Sequence, residues 1–135
     1  MVAIKVFYDH KELSFYREKE AYELLKNNPY IAKTEAITNA SLVYDTYKGE
    51  KIENKPIIIM EYAHKSVLYW YIAIKAGKPI SAPTCRKFMR MLIQAIRDMD
   101  AKGVGQRDLK PENIILTDNY TLKIIDFGHS SQSKD

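Results

Sequence analysis

Apolar and polar positions alternate with a period of two from Val2 to Phe7, which predicts a strand. Val2, Ile4 and Val6 share one face, while Ala3, Lys5 and Phe7 share the other. Lys5 therefore lies among small and apolar neighbours, where an ammonium needs a partner. From about Leu13 to Lys26 the spacing changes to three and four, predicting a helix that Asn27-Asn28-Pro29 brings to a stop. Glu18 falls on one face of it with Ala21, Tyr22 and Leu25. A carboxylate in that stripe asks for a cation, and Lys5 is the available one. Glu20 and Glu23 are rivals for Lys5, and otherwise read as a solvated face. Ser41–Tyr47 and Ile57–Met60 read as two further strands joined by the polar loop Gly49–Asn54. Three strands with one helix predict a small α+β layer.

The second half is more helical. Ser66 to Lys75 holds Leu68, Tyr69, Trp70, Tyr71 and Ile72, an aromatic cluster that fits a helix packed into the core better than a base-stacking surface. Gly77-Lys78-Pro79 reads as a turn. From about Pro83 to Lys102, Phe88, Met91, Leu92, Ala95, Ile96 and Met99 form one continuous apolar stripe. Ser81 or Thr84 can cap its start, and Gly103 sits where a helix stops. Two short apolar runs follow, Ile114-Ile115-Leu116 and Leu122-Lys123-Ile124-Ile125, with Asp118-Asn119 as the turn between them. The tail from Ser130 to Asp135 is polar and reads as frayed.

At 135 residues, 46% hydrophobic and 28% charged, the chain suits one folded domain. No apolar run approaches the roughly 20 residues that span a bilayer, and MVAIKVFYDH lacks the apolar core of a signal peptide. The single cysteine, Cys85, excludes an internal disulfide and fits a reducing compartment, so cytoplasm or nucleus is expected, with no membrane partner. The net charge of +4 comes from lysines scattered among acids, so no nucleic-acid partner is expected. His10, His64 and His129 show no metal-ligand spacing and read as surface residues.

Charge changes the picture most in one stretch, QRDLKPENIILTDNYTLKIIDFG, from Gln106 to Gly128. The hairpin fixes the spacing between Asp108, Lys110 and Asn113 before it and Asp126 after it. These groups could gather a proton acceptor, a cation and two metal-ligand oxygens in one small volume. Magnesium between carboxylate and amide oxygens, beside a lysine for phosphate charge, is what phosphoryl transfer needs.

Arg107-Asp108-Leu109-Lys110-Pro111-Glu112-Asn113 followed by Asp126-Phe127-Gly128 resembles the catalytic loop and metal-binding motif of eukaryotic protein kinases, and Val2-Ala3-Ile4-Lys5 is similar to the motif whose lysine contacts the ATP phosphates. The resemblance implies a partial kinase fold. A small three-stranded N-lobe with one helix would occupy residues 1–62, and a helical C-lobe portion carrying the hairpin would occupy 63–135. It implies ATP and Mg2+ as cofactors and, from Lys110 two residues after Asp108, a protein substrate phosphorylated on serine or threonine. Asp108 would receive the substrate hydroxyl proton, Lys110 would neutralise phosphoryl charge, and Asn113 and Asp126 would hold the metal. Lys5 would pair with Glu18. Glu61-Tyr62-Ala63 looks like the hinge, with Met60 behind the nucleotide and backbone groups of Glu61 and Ala63 toward the adenine. Ala3 and Ile115 complete the implied nucleotide-binding set with Asp126. Phe127 would pack beneath the glutamate-bearing helix, where Tyr22 stands at a position the family fills with an apolar residue.

Three departures accompany the likeness. None of the five glycines forms a G-x-G-x-x-G, and the chain begins at the lysine strand. Gln106 stands where the family usually has histidine. The chain stops seven residues after Gly128, before an activation segment or an Ala-Pro-Glu motif. A truncated domain is therefore expected, with self-association through uncovered apolar surface of the Pro83–Lys102 helix. A non-catalytic kinase-like module that binds nucleotide or a protein partner is the alternative. A small-molecule kinase of the aminoglycoside or choline type fits Lys110-Pro111 and Asp126-Phe127-Gly128 less well.

Overall fold

A computed structural model describes residues 1–8, 11–40, 43–45, 49–52, 54–63, 68, 71–72, 77 and 79–132. The alternating start forms β1 (Val2–Val6), and the 3.6-period segment forms α1 (Glu12–Leu24). β5 (Lys55–Glu61) is the centre of an antiparallel three-stranded sheet, with β1 on one side and β2 (Thr34–Ala40) on the other. Its register sets Ala3 opposite Met60 and Lys5 opposite Ile58. The more apolar face of β1 is the outer one, with Val2 47% and Ile4 51% exposed. The inner face is chosen by partners: Phe7 is buried edge-on against Phe15 of α1, and Lys5 finds its carboxylates there.

The third strand of this sheet is Thr34–Ala40, which corrects the expectation of Ser41–Tyr47. Within that stretch only β3 (Val43–Asp45) is described. It pairs with β4 (Glu50–Ile52) in a separate ribbon through the region expected to be a loop. TEAITNA offers few large apolar side chains, so its strand character comes from backbone pairing with β5, across a register shift between Thr34 and Ala36. β5 likewise outruns its apolar positions, because the ladder to β2 continues through Pro56 and Lys55.

The long helix is α2 (Ala82–Ala101), capped by Ser81, whose Oγ accepts the Thr84 N–H at 3.4 Å. Phe88, Ala95 and Met99 are buried, and Met91 and Leu92 are partly so. Ile96 corrects the expected stripe: it is 45% exposed and lines up with exposed Met89 and Ile93 on the outer face. Leu68 is buried in the same cluster, and Tyr71 meets Phe88 and Tyr120 edge-on. Tyr69, Trp70, Lys78, His10 and His64 lie outside the described residues; His129 is exposed. No helix among the described residues is long and apolar enough to cross a membrane.

After α2 come β6 (Val104–Gly105), a 3-10 turn (Pro111–Asn113), β7 (Ile114–Leu116), β8 (Leu122–Ile124) and β9 (Ser131–Gln132). β7 and β8 form the expected hairpin, its turn closed by the Thr117 hydroxyl, which accepts the Thr121 N–H at 3.0 Å. The polar tail is not frayed through Gln132. β9 pairs with β6, and Ser130 is 1% exposed. β8 also reaches the first half of the chain, since Ile124 N–H donates to Tyr30 O (2.8 Å) and Ala32 N–H to Ile124 O (3.0 Å). Ile124 packs in one core with Phe7, Tyr22, Ile58, Met99 and Phe127, and Leu122 in a second with Leu68, Phe88 and Leu116.

Candidate active site

Lys5 is the hub. Its Nζ donates to Glu18 Oε2 at 2.6 Å and to Asp126 Oδ1 at 3.1 Å. The rivals are elsewhere: Glu20 is exposed, and Glu23 sits 3.9 Å from Lys19. Glu18 is fully buried, and burial pushes its carboxyl above the usual range despite the opposing charge and hydrogen bond of Lys5. Its other oxygen, Oε1, and the hydroxyl of Tyr22 one turn later are buried with no well-formed hydrogen bond among the described residues, while the backbones of Phe127 and Asp126 act to lower Glu18 and Tyr22 respectively. Burial, then the Glu18 charge, push the Tyr22 phenol well up.

Asp126 occupies the left-handed region at φ 64°, which aims its carboxylate back at Lys5 and at the Gly128 N–H (3.2 Å). Burial works to raise this carboxyl. The Lys5 charge and hydrogen bond, with the Gly128 N–H, outweigh it and hold the group below the usual aspartate range. Phe127 is fully buried and meets the Tyr22 ring edge-on at 5.2 Å, so it packs against α1.

The second cluster is local. The 3-10 turn brings Asn113 back to Asp108, and Asn113 Nδ2 donates to both Asp108 O and Asp108 Oδ2 at 3.0 Å. Lys110 Nζ lies 2.8 Å from the same Oδ2. That hydrogen bond, against some desolvation and with help from Asn113, lowers the Asp108 carboxyl and raises the Lys110 ammonium. Both groups are thus charged at neutral pH. Two links join the clusters: Ile125 N–H donates to Asn113 O at 2.9 Å, and the Gln106 side chain spans Asp126 and Asp108.

The oxygens fit a small hard cation. Asp126 uses Oδ1 for Lys5 and Gly128, and Asn113 uses Nδ2 for Asp108, which leaves Asp126 Oδ2 and Asn113 Oδ1 unpaired among the described residues. No group of three or more His, Cys, Asp or Glu side chains among the described residues could hold a metal by itself. One carboxylate and one amide oxygen suit magnesium, which is usually shared with water and substrate phosphate.

The remaining predicted positions are less tightly gathered. Ala3 faces Met60 across the β1–β5 pair, and Met60 is buried. Ile115 is buried on β7 opposite Lys123, and Ala63 is half-buried just past β5. Glu61 N–H is spent on Lys33 O (2.9 Å), so an adenine contact through Glu61 would fall to its carbonyl. The Glu61 side chain has work that the pattern did not signal: Oε1 accepts the Lys33 N–H at 2.6 Å and the Lys123 ammonium at 2.7 Å. Ser130 and Gln132 were equally unsignalled. Ser130 Oγ and Gln132 Nε2 each donate to Arg17 O on α1 at 3.3 Å.

Comparison with known proteins gives the family. The family profile described as protein kinase domain matches residues 1–135. NUAK family SNF1-like kinase 1 of Mus musculus is 35% identical over 136 residues, covering 97% of this chain and 18% of that protein. Serine/threonine-protein kinase cds1 of Schizosaccharomyces pombe is 29% identical over 126 residues, covering 93% and 26%. CBL-interacting protein kinase 15 of Oryza sativa subsp. japonica is 40% identical over 81 residues, covering 60% and 18%. The chain thus spans about a quarter or less of the length of these relatives.

Proposed function

This chain belongs to the protein kinase family, and from that premise we propose that it carries the Mg-ATP site of a serine/threonine protein kinase, transferring phosphoryl groups to protein hydroxyls. The observation that carries the reading is the Lys5 ammonium held between Glu18 at 2.6 Å and Asp126 at 3.1 Å. A cation fixed by two carboxylates from distant segments is preorganised for phosphate at no further ordering cost.

Lys5 would contact ATP phosphates while Glu18 keeps its ammonium in place. Asn113 and Asp126 would hold Mg2+, which when bound neutralises phosphate charge. Asp108, ionised at neutral pH and oriented by Asn113, would accept the proton of the substrate hydroxyl. Lys110 is exposed, so its ammonium is free to swing from Asp108 toward the transferred group. Met60, Ala3 and Ile115 would wall the base, and Ala63 would offer it backbone groups.

Calorimetric titration of Mg-ATP is the test. Binding that Lys5→Ala and Asp126→Ala both weaken, with Asp108→Ala binding as wild type but losing at least ~10²-fold in transfer, is the expected pattern. No binding by the folded chain removes the reading. Self-association belongs to the same proposal, through exposed Met89, Ile93 and Ile96. A single monomeric species in sedimentation across the concentration range removes that part.

A further inference from the structure

We propose that the open edge of β1 pairs antiparallel with the same edge of a second copy of this chain, about a two-fold axis through Ile4. The inference does not depend on the kinase reading. β1 is an edge strand, since the sheet runs β1-β5-β2. Phe7 N–H donates to Pro56 O at 2.9 Å, and the register from Val6–Ile57 to Val2–Glu61 carries that pairing back along the strand. In an antiparallel ladder, residues two apart turn their N–H and C=O to the same side. Ala3, Lys5 and Phe7 therefore face β5. Val2, Ile4 and Val6 turn their groups outward, where they have no backbone partner among the described residues.

The opposite edge, β2, is guarded. It carries a register shift between Thr34 and Ala36, and a Lys33–Glu35 ion pair at 2.9 Å stands at its start. Shifts and charges of this kind discourage edge-to-edge pairing. β1 has an unbroken register, and its one charged side chain, Lys5, is paired within its own copy by Glu18 and Asp126. A register centred on Ile4 sets Ile4 opposite Ile4 of the second copy, Val2 opposite Val6 and Ala3 opposite Lys5. Each outward N–H then meets an outward C=O. The same register joins the half-exposed Val2 and Ile4 of both copies into one apolar row. Centring on Lys5 would oppose two ammonium groups, and centring on Ala3 would leave Val6 unpaired. With five residues a side the interface is small, so a reversible dimer in the micromolar-to-millimolar range is expected.

Sedimentation in an Ile93→Lys background reads this contact apart from the exposed α2 face, which that substitution charges. A monomer–dimer equilibrium should persist there. Adding Ile4→Lys or Ile4→Glu should weaken it at least about tenfold, because like charges then meet across the axis. An equimolar mixture of the two variants should restore the dimer, since opposite charges meet instead. Ile4 is 51% exposed, so both substitutions should leave the melting temperature of dilute protein close to that of the parent. A monomer up to about 1 mM in the Ile93→Lys background overturns the proposal and leaves the edge to a different strand. Dimers that survive both Ile4 substitutions, or a mixture that stays monomeric, overturn it equally. Should the Ile4 variants fail to fold, amide exchange of the chain with Ile4 intact decides. The Ile4 and Val6 amides should gain protection as concentration rises, while the Phe7 amide, already bonded to Pro56 O, keeps the protection it has. Ile4 and Val6 exchange that is the same at every concentration refutes the pairing.

Discussion

Burial disfavours the charged form of Glu18. Its folded carboxyl lies above the usual 4.5, because burial outweighs the attraction of Lys5. A carboxyl raised on folding contributes stability that is complete below the usual value and lost as pH rises through the folded one. Glu18→Gln should therefore melt no lower than wild type at neutral pH, and a few degrees higher is the expected result, while Mg-ATP binding weakens. The difference in melting should shrink as pH falls through the folded value of Glu18, where the wild-type carboxyl becomes neutral. A large drop in melting temperature at neutral pH would refute this. Asp126 and Asp108 have the opposite sign: both lie below the usual 3.8, so their contribution is complete above it and is lost as pH falls through the folded values. The Lys5–Glu18 partnership was legible in the sequence because each charge sat in an apolar repeat that had to be explained. Gln106 was legible only as an odd residue in a motif. A side-chain amide that reaches the backbone 20 residues on leaves no periodic trace. The same holds for Glu61, where Glu61→Ala strands a Lys123 ammonium whose side chain is 18% exposed. It should cost about 1–3 kcal/mol in chemical denaturation, more than Lys123→Ala, which leaves Glu61 the Lys33 N–H.

Elements with a strong period were read to within a few residues: β1, α1, α2 and the β7–β8 hairpin. β2 was missed because its pairing is specified by the neighbouring strand rather than by its own side chains, and β9 because a two-residue strand has no period. How the elements meet was legible only at Lys5–Glu18 and at Phe127 beneath α1. Gly128 illustrates the rest, for a Cβ there would collide with the Ser14 hydroxyl of α1 and stand 3.6 Å from Ser14 Cβ. Gly128→Ala should thus destabilise by about 1 kcal/mol through overpacking, by pushing on α1. Ser14→Ala, near neutral alone, should restore part of that loss in the double variant, because the 3.6 Å contact with Ser14 Cβ is ordinary while the 3.3 Å approach to Asp126 Oδ1 stays tight. Additive losses in equilibrium unfolding would show that α1 and the Asp126–Gly128 turn are not in this contact. Ser130 and Gln132 grip the same helix through Arg17 O, so α1 is held at two points by the segment that follows Phe127.

At the scale of the molecule, β8 makes the two halves one body. It pairs with β7, bridges to Tyr30 and Ala32, and lends Ile124 to one core and Leu122 to the other. The candidate site lies along that seam: Lys5 comes from β1, Asp126 from just past β8. The two partners of Lys5 are unequal in one further respect. Glu18 is 13 residues away in sequence and Asp126 is 121. Chains are made from the N-terminus at about 5–20 residues per second, so Glu18 is added about 1–3 s after Lys5, and Asp126 only after about 6–24 s. For most of the time this stretch is being made, the lysine and glutamate exist without their third partner. The three-way arrangement around Lys5 therefore waits until the ribosome has passed Asp126.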